Sequence, residues 1–249
     1  MDHDSARGHR RINYDYPRRF LRIAVRRRRL RRRAVLEVAA EHFAQQGFHA
    51  TNVEAVAAQA FTSKPQLYDL FPSKADLYHA VLHRERRKFE QNVITPLAQG
   101  QATEASESDF TSACLTSAQV VFDYQRDRPH SLRVLFGAQN WRMATDLREE
   151  ARDAWTMATQ ASIVQRHPRH VTTYGDLSAP ATAELLVTCV LGAIEMSYEG
   201  RISLLHARDV VAAAAGALSN NSARRPGSSA PQVAAAETST LTAGRGVTA

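Results

Sequence analysis

Apolar side chains recur at steps of three and four residues through most of the chain, which is the spacing of helices with one buried face. The clearest such stripe consists of Val35, Leu36, Ala39, Ala40 and Phe43. A glycine follows at position 47, where the end of a helix favours a residue that tolerates positive φ. No strand-like alternation of apolar and polar residues is sustained. The pattern therefore predicts an all-α protein.

Three helix starts follow one another closely between positions 51 and 76. Residues 51–54 (TNVE) form a capping box, residues 63–66 (SKPQ) form its S-x-x-Q version, and residues 73–76 (SKAD) open a further helix. The first two starts lie 12 residues apart, which leaves room for two helices of roughly eight residues and a tight turn. This spacing is typical of a helix-turn-helix whose second helix enters the DNA major groove, although a plain helical hairpin has the same spacing.

The positive charge of the chain is concentrated at one end. The 249 residues include 32 Lys and Arg against 25 Asp and Glu, and residues 1–33 alone hold 13 Arg against three Asp. The rest of the chain is close to neutral. This distribution makes nucleic acid or another anionic surface the first partner to consider, and it excludes a uniformly basic, histone-like protein.

The segment from Val35 to Leu82 resembles the DNA-binding domain of the tetracycline-repressor (TetR) family. The resemblance is carried by Ala39-Ala40, Phe43, Gly47-Phe48, Ala50-Thr51, Val53, Val56-Ala57, Ala60, Ser63-Lys64, Leu67-Tyr68, Phe71, Ser73-Lys74 and Leu77. It implies a homodimeric bacterial transcription regulator, usually a repressor. Its N-terminal three-helix domain would bind a palindromic double-stranded operator, and its C-terminal helical domain would hold a small-molecule effector and the dimer interface.

The resemblance also assigns roles to single residues. Ser63, Lys64, Gln66 and Leu67 would face bases or nearby phosphates from the recognition helix, which is the second helix of the helix-turn-helix. Tyr68 and Lys74 match family residues that contact the phosphate backbone. Thr51 would cap the helix before the turn and offer its hydroxyl to a phosphate. Phe61 stands where the family commonly has a turn glycine, and Pro65 and Leu70 are further departures. The expected DNA-binding residues are Arg29, Arg33, Thr51, Thr62, Ser63, Lys64, Gln66, Leu67, Tyr68 and Lys74.

Four segments follow from these patterns. Residues 1–28 are expected to form a disordered Arg-rich arm, which either enters the minor groove or tracks phosphates, or is simply a solvated tail. Residues 29–94 form the helix-turn-helix domain with a linking helix, and residues 95–221 form the effector-binding and dimerisation domain. Its last two helices, about 181–199 and 206–219, would build the dimer interface. Residues 222–249 are expected to be a disordered tail.

An aromatic and methionine stripe marks the middle helices of the C-terminal domain. It is either the lining of an effector pocket or ordinary core. The candidate lining residues are Phe110, Leu115, Phe122, Phe136, Trp141, Trp155 and Met157.

Other functional classes receive little support from the sequence. Cys114 and Cys189 have no CxxC partner and are expected to be buried, and His79 and His83 have metal-compatible spacing without a third ligand. No catalytic or nucleotide-binding motif occurs, so neither an enzyme nor a cofactor is predicted. The longest apolar run, residues 185–194, is half of what a bilayer requires, and the Arg-dense start lacks a signal-peptide pattern. We expect a cytoplasmic protein without a membrane segment.

The prediction from the sequence is therefore a ligand-responsive repressor that binds DNA as a homodimer. Two alternatives stay open. One is a sequence-neutral, architectural nucleic-acid-binding protein driven by the Arg-rich arm. The other is a helical enzyme or carrier that kept the fold without DNA binding.

Overall fold

A computed structural model describes residues 16–100, 110–137, 145–166 and 179–223. Within these ranges the chain is helical and contains no strand, so the all-α prediction is confirmed. A π-helical turn, Glu90–Ile94, joins the fourth helix to the fifth. The helices are α1 (Tyr16–Ala50), α2 (Val53–Gln59), α3 (Lys64–Tyr68), α4 (Lys74–Phe89), α5 (Thr95–Ala98), α6 (Phe110–Asp127), α7 (Pro129–Phe136), α8 (Thr145–Arg166), α9 (Ala179–Tyr198) and α10 (Leu204–Ala223).

Helix α1 begins much earlier than predicted. Residues 16–28, assigned above to a disordered arm, continue the helix, and residues 20–34 are exposed around its whole circumference. Arginine is a good helix former, and a helix already nucleated by the buried residues 35–44 extends at little further cost, which explains the difference. The rest of the arm lies outside the described residues. At the other end, residues 222 and 223 belong to α10 rather than to the tail.

The helix end predicted at Gly47 is present as an interruption within α1, three residues before its last residue, Ala50. Gly47 is buried and has φ 80° and ψ 173°, a backbone conformation that interrupts the helix and that residues with a Cβ rarely adopt. The backbone N–H of Thr51 then donates to the carbonyl of Gly47 at 3.2 Å. This turn directs the chain from α1 into α2.

A single hydrophobic core runs through both halves of the molecule. In the N-terminal half the ring of Phe43 packs edge-on against Tyr78, with centroids 4.9 Å apart. Further along α4, Phe89 is fully buried and its ring lies 5.5 Å from the rings of both Phe136 and Trp155. The predicted domain boundary between residues 94 and 95 therefore falls inside a continuous helical run, and no break in packing marks it.

The C-terminal half is a bundle in which α9 packs against α8 and α10. Arg128 lies between α6 and α7, and Pro129 is the first residue of α7, a position that proline fits because it needs no backbone N–H there. By length and composition α9 could cross a bilayer, with a mean hydropathy of 1.4, but it has a buried face inside this bundle. Cys114 is buried as predicted, whereas Cys189 is exposed, because it lies on the outer face of α9.

Candidate nucleic-acid interface

The N-terminus of α2 is capped by Asn52 and not by Thr51. The Asn52 Oδ1 atom accepts a hydrogen bond from the backbone N–H of Glu54 at 2.8 Å. The Thr51 hydroxyl instead donates to the carbonyl of Gly47 at 2.5 Å, and Thr51 is only 3% exposed. The predicted role of Thr51 at a phosphate is therefore wrong, since its hydroxyl is directed into the protein.

The N-terminus of α3 has the predicted capping box at Ser63. The Ser63 Oγ atom accepts from the backbone N–H of Gln66, and the Gln66 Oε1 atom accepts from the backbone N–H of Ser63, both at 3.4 Å. The hydroxyl of Thr62, which is 9% exposed, donates to the same Oε1 atom at 3.0 Å. A bidentate contact of Gln66 with adenine needs this oxygen as an acceptor, so it competes with the capping box.

Helix α3 presents one polar face to solvent and one apolar face to the core. Ser63, Lys64, Gln66 and Tyr68 are on the exposed side, although Tyr68 is only 36% exposed. Leu67 has no exposed surface and is part of the core. The prediction that Leu67 contacts DNA is therefore wrong: it anchors the recognition helix to the rest of the domain.

The Lys64 ammonium is paired with a carboxylate of α2. Its Nζ lies 2.5 Å from Oε1 of Glu54, and both side chains are exposed. The hydrogen bond and charge of Glu54 raise the pKa of Lys64, and Lys64 lowers the pKa of Glu54 in the same way. Lys64 is thus held beside α2, and an approaching phosphate competes with Glu54 for it.

Lys74 joins the start of α4 to the end of α1. Its Nζ donates to the carbonyl of His49 at 3.0 Å and lies 4.9 Å from the centre of the Phe48 ring. Burial lowers the pKa of Lys74. The helix start is confirmed at Ser73, whose Oγ accepts from the backbone N–H of Asp76 at 3.0 Å. The lysine therefore has a structural partner at the position where the resemblance expects a phosphate contact.

Phe61 in the turn between α2 and α3 has a left-handed backbone, with φ 50°. Within the described ranges it is the one residue other than glycine with positive φ, and it is 98% exposed. The glycine that the family commonly has here would adopt this conformation without strain. The chain retains a strained, solvent-exposed aromatic residue at the entrance to α3.

The arginine-rich part of α1 passes beside the end of α3. Arg28 donates to the carbonyl of Asp69 at 3.3 Å, and the Arg32 guanidinium lies 5.0 Å from the centre of the Phe71 ring. Arg29 and Arg33 are exposed. A helix with side chains is about 10–12 Å wide whereas the minor groove is about 6 Å wide, so this stretch cannot lie inside a minor groove. Of the two DNA-binding roles predicted for the arm, only contact with phosphates is compatible with a helix over residues 16–33.

Within the part of the chain that the structure describes, the predicted effector-pocket residues do not line one common cavity. Phe122 and Trp155 are buried in the packed core, and Leu115 and Phe136 are half-buried against it. Met157 is 70% exposed on the surface of α8, so its assignment to a pocket is wrong. The side chain of Phe110 and the whole of Trp141 lie outside the described residues.

A cavity of about 330 Å³ lies instead between α7, α8 and α9. Its lining includes Leu132, Phe136, Arg152, Thr188, Leu191 and Tyr198. The Arg152 Nη2 atom donates to Glu184 at 2.6 Å and to the Thr188 hydroxyl at 3.0 Å. Of the predicted pocket residues that the structure describes, Phe136 alone lines this cavity. No local sequence pattern marks the other lining residues, because helices distant in sequence build the cavity.

A hydrogen bond that sequence analysis missed connects the two halves. The Arg148 Nη2 atom on α8 donates to the Tyr78 hydroxyl on α4 at 3.1 Å and to the carbonyl of Val134 at 3.4 Å. Arg86 and Glu150 add an ion pair of 2.7 Å between α4 and α8. These contacts would therefore transmit a displacement of α8 to α4, the helix that follows the recognition helix.

Helices α1–α4, with the short turn between α2 and α3, define a helix-turn-helix protein of the DNA-binding class. Residues 35–81 match the family described as "Bacterial regulatory proteins, tetR family". The match to this family is thus carried by the N-terminal helix-turn-helix domain of the chain.

Comparison with curated and solved proteins agrees with this assignment. The chain is 44% identical over 106 residues to the HTH-type transcriptional regulator RutR of Escherichia coli K12. The aligned region covers 42% of this chain and 45% of RutR. It is 31% identical over 106 residues to the HTH-type transcriptional activator FasR of Mycolicibacterium smegmatis, with 43% and 45% covered. The matches thus span less than half of either relative. A TetR-like regulator from Rhodococcus sp. RHA1 shares the fold, with a TM-score of 0.56, 23% identity, and 75% and 93% of the two chains covered.

Proposed function

We propose that the chain is a transcription regulator that binds an operator in double-stranded DNA as a homodimer. The observation that carries this proposal is the α2–α3 helix-turn-helix, with Ser63, Lys64, Gln66 and Tyr68 on its exposed face beside an arginine-rich helix. The helix places base-facing side chains in the major groove, and the arginines supply attraction to phosphates. Such a regulator acts on the bacterial chromosome, so the location we propose is the cytoplasm.

The outer surface of the C-terminal bundle supports the dimer. Apolar side chains that a monomer would leave in water project from α9 and α10, among them Leu185 (43% exposed), Leu205 (60%) and Val210 (50%). Pairing of this face with its copy would bury them and bring two α3 helices to the same side of the dimer. For successive major grooves the two helices must lie about 34 Å apart, which makes a palindromic operator the expected target.

We further propose that an effector in the α7–α9 cavity controls DNA binding, and that the regulator acts as a repressor. The cavity volume of about 330 Å³ lies within the usual range of ligand pockets, and Arg152, Thr188 and Glu195 supply polar groups among apolar lining residues. Movement of α8 would reach α4 through Arg148 and Tyr78. The effector releases DNA only to the extent that it binds the DNA-incompetent state more tightly.

Selection of genomic fragments with the purified full-length chain tests DNA binding and operator symmetry together. We expect a palindromic footprint and a mobility shift that Lys64→Gln weakens at moderate salt, because Lys64 lies on the exposed face of α3. Arg201→Gln is the matched control, since Arg201 is an exposed charge far along the chain that pairs with Glu199 at 3.2 Å. A footprint without a palindrome would favour the architectural binder, and the absence of any shift would refute the proposed function.

Contacts on and beside α3 make separable contributions in this proposal. Replacement of Tyr68 or Lys74 should weaken binding to every DNA sequence alike, as expected for contacts with the backbone. Replacement of Gln66 should change the preferred sequence, as expected for a contact with a base. An unchanged binding motif for a Gln66 variant would assign Gln66 to the capping box alone.

A further inference from the structure

We propose that Phe61 is a specificity-determining DNA contact whose phenyl ring packs on the methyl group of a thymine in the major groove. This inference rests on the proposed function, because it requires that α3 enters DNA. Phe61 is 98% exposed, well above the 70% of Met157 and the 67% of Leu21. A phenyl ring that is surrounded by water makes no contact that stabilises the fold. We therefore look for its role in contact with a binding partner.

The backbone at Phe61 gives a second, independent reason. Its φ of 50° is the left-handed conformation, which is unfavourable for a bulky residue and which glycine adopts freely. Both the strain and the exposure therefore act against stability at this position. Strained backbone conformations are found mainly at sites that contact ligands, where the surrounding structure maintains them. The strained backbone of Phe61 therefore supports the same inference.

The ring is held on an ordered turn next to the recognition helix. The backbone N–H of Phe61 donates to the carbonyl of Ala58 at 3.1 Å, and that of Thr62 donates to Ala57 at 2.9 Å. Phe61 precedes the Ser63 cap by two residues, so their Cα atoms lie within roughly 7.6 Å of each other. When the first turn of α3 faces a major groove about 12 Å wide, a ring at this distance can reach its base edges.

Thymine is the base whose chemistry fits the ring. Its C5-methyl group is the apolar group on the major-groove edges of the bases, and phenylalanine is among the side chains that contact it. Base reading from α3 is at the same time restricted, because the apolar Leu67 is buried and the Gln66 oxygen accepts from Ser63 and Thr62. An apolar contact from the turn would add discrimination to that of the polar side chains of α3.

The test combines a protein variant with a base analogue. Phe61→Gly should raise the melting temperature of the chain, because the strain is removed, while it weakens binding to the selected operator. Phe61→Leu keeps an apolar side chain and should retain most of the affinity. Met157→Ala, an exposed apolar residue on α8, is the matched control and should change neither property.

Replacement of single thymines by uracil in the operator removes only the methyl group. For the parent chain we expect at least one position where uracil weakens binding about fourfold, the value of one buried methyl group, and no such weakening at that position for Phe61→Gly. Equal uracil sensitivity of the two proteins, or unchanged operator affinity of Phe61→Gly, would overturn the proposal. A lower melting temperature of Phe61→Gly would also overturn it, because the ring would then be a structural element. If the parent chain selects no DNA at all, the proposed function fails instead.

Discussion

Replacement of Leu67 by alanine distinguishes the structural role of this residue from the DNA contact that its sequence position suggests. Leu67 is the fourth of the five residues of α3 and has no exposed surface. Leu→Ala removes three carbon atoms, and at about 0.8 kcal/mol per buried carbon the reduced burial costs about 2.4 kcal/mol. The cavity that remains raises the expected total to about 3–5 kcal/mol.

The assay is unfolding of the parent and the Leu67→Ala chain, followed by far-ultraviolet circular dichroism. For a chain of this size we expect the melting temperature to fall by about 6–20 °C, since each 1 kcal/mol corresponds to about 2–4 °C. Operator affinity, measured well below the transition and corrected for the folded fraction, should remain close to that of the parent. Lys64→Gln should show the opposite behaviour. An unchanged melting temperature combined with weakened operator binding would refute the burial argument and restore Leu67 as a DNA contact.

Two further predictions concern the charged helix and a buried tyrosine. We expect a smaller salt dependence of DNA binding when Arg22, Arg26, Arg29 and Arg33 are replaced by glutamine, which retains helix propensity. The slope of log K against log salt should become less steep by about 0.9 for each phosphate that the variant no longer neutralises. An unaltered slope would show that this part of α1 does not contact DNA. Burial raises the pKa of Tyr124 from 10.0 to about 12, so its stabilising contribution is complete below pH 10 and is lost as the pH rises from 10 through about 12. Tyr124→Phe should remove this part of the pH dependence from denaturant-unfolding curves, and a parent stability that does not fall over this range would contradict the reasoning.

Local signals predicted the helix boundaries around α3 well. The caps at Ser63 and Ser73 and the turn at Gly47 each depend on residues within a few positions, and all three are present in the structure. The displaced cap at α2 shows the limit of such signals. Thr51 and Asn52 can both cap, and the choice was made by the Gly47 carbonyl, which accepts the Thr51 hydroxyl.

The arginine-rich stretch was harder to assign because its composition supports two states. Arginine has a high helix propensity, but a run of like charges is also typical of disordered arms. In the helical state Arg28 contacts Asp69 and Arg32 contacts Phe71, and each partner lies more than 30 positions further along the chain. No sequence pattern within residues 16–33 predicts these contacts.

Sequence alone determined the all-helical class, the helix-turn-helix and the tetR family domain, because periodicity, caps and turns are encoded over short stretches of chain. Tertiary structure decided which side chains of that domain reach solvent. Helical spacing reveals an apolar face but does not tell which borderline positions a neighbouring helix covers, so Leu67 became core and Met157 became surface. It also decided where the cavity lies, since α7, α8 and α9 form its walls only after they have packed together.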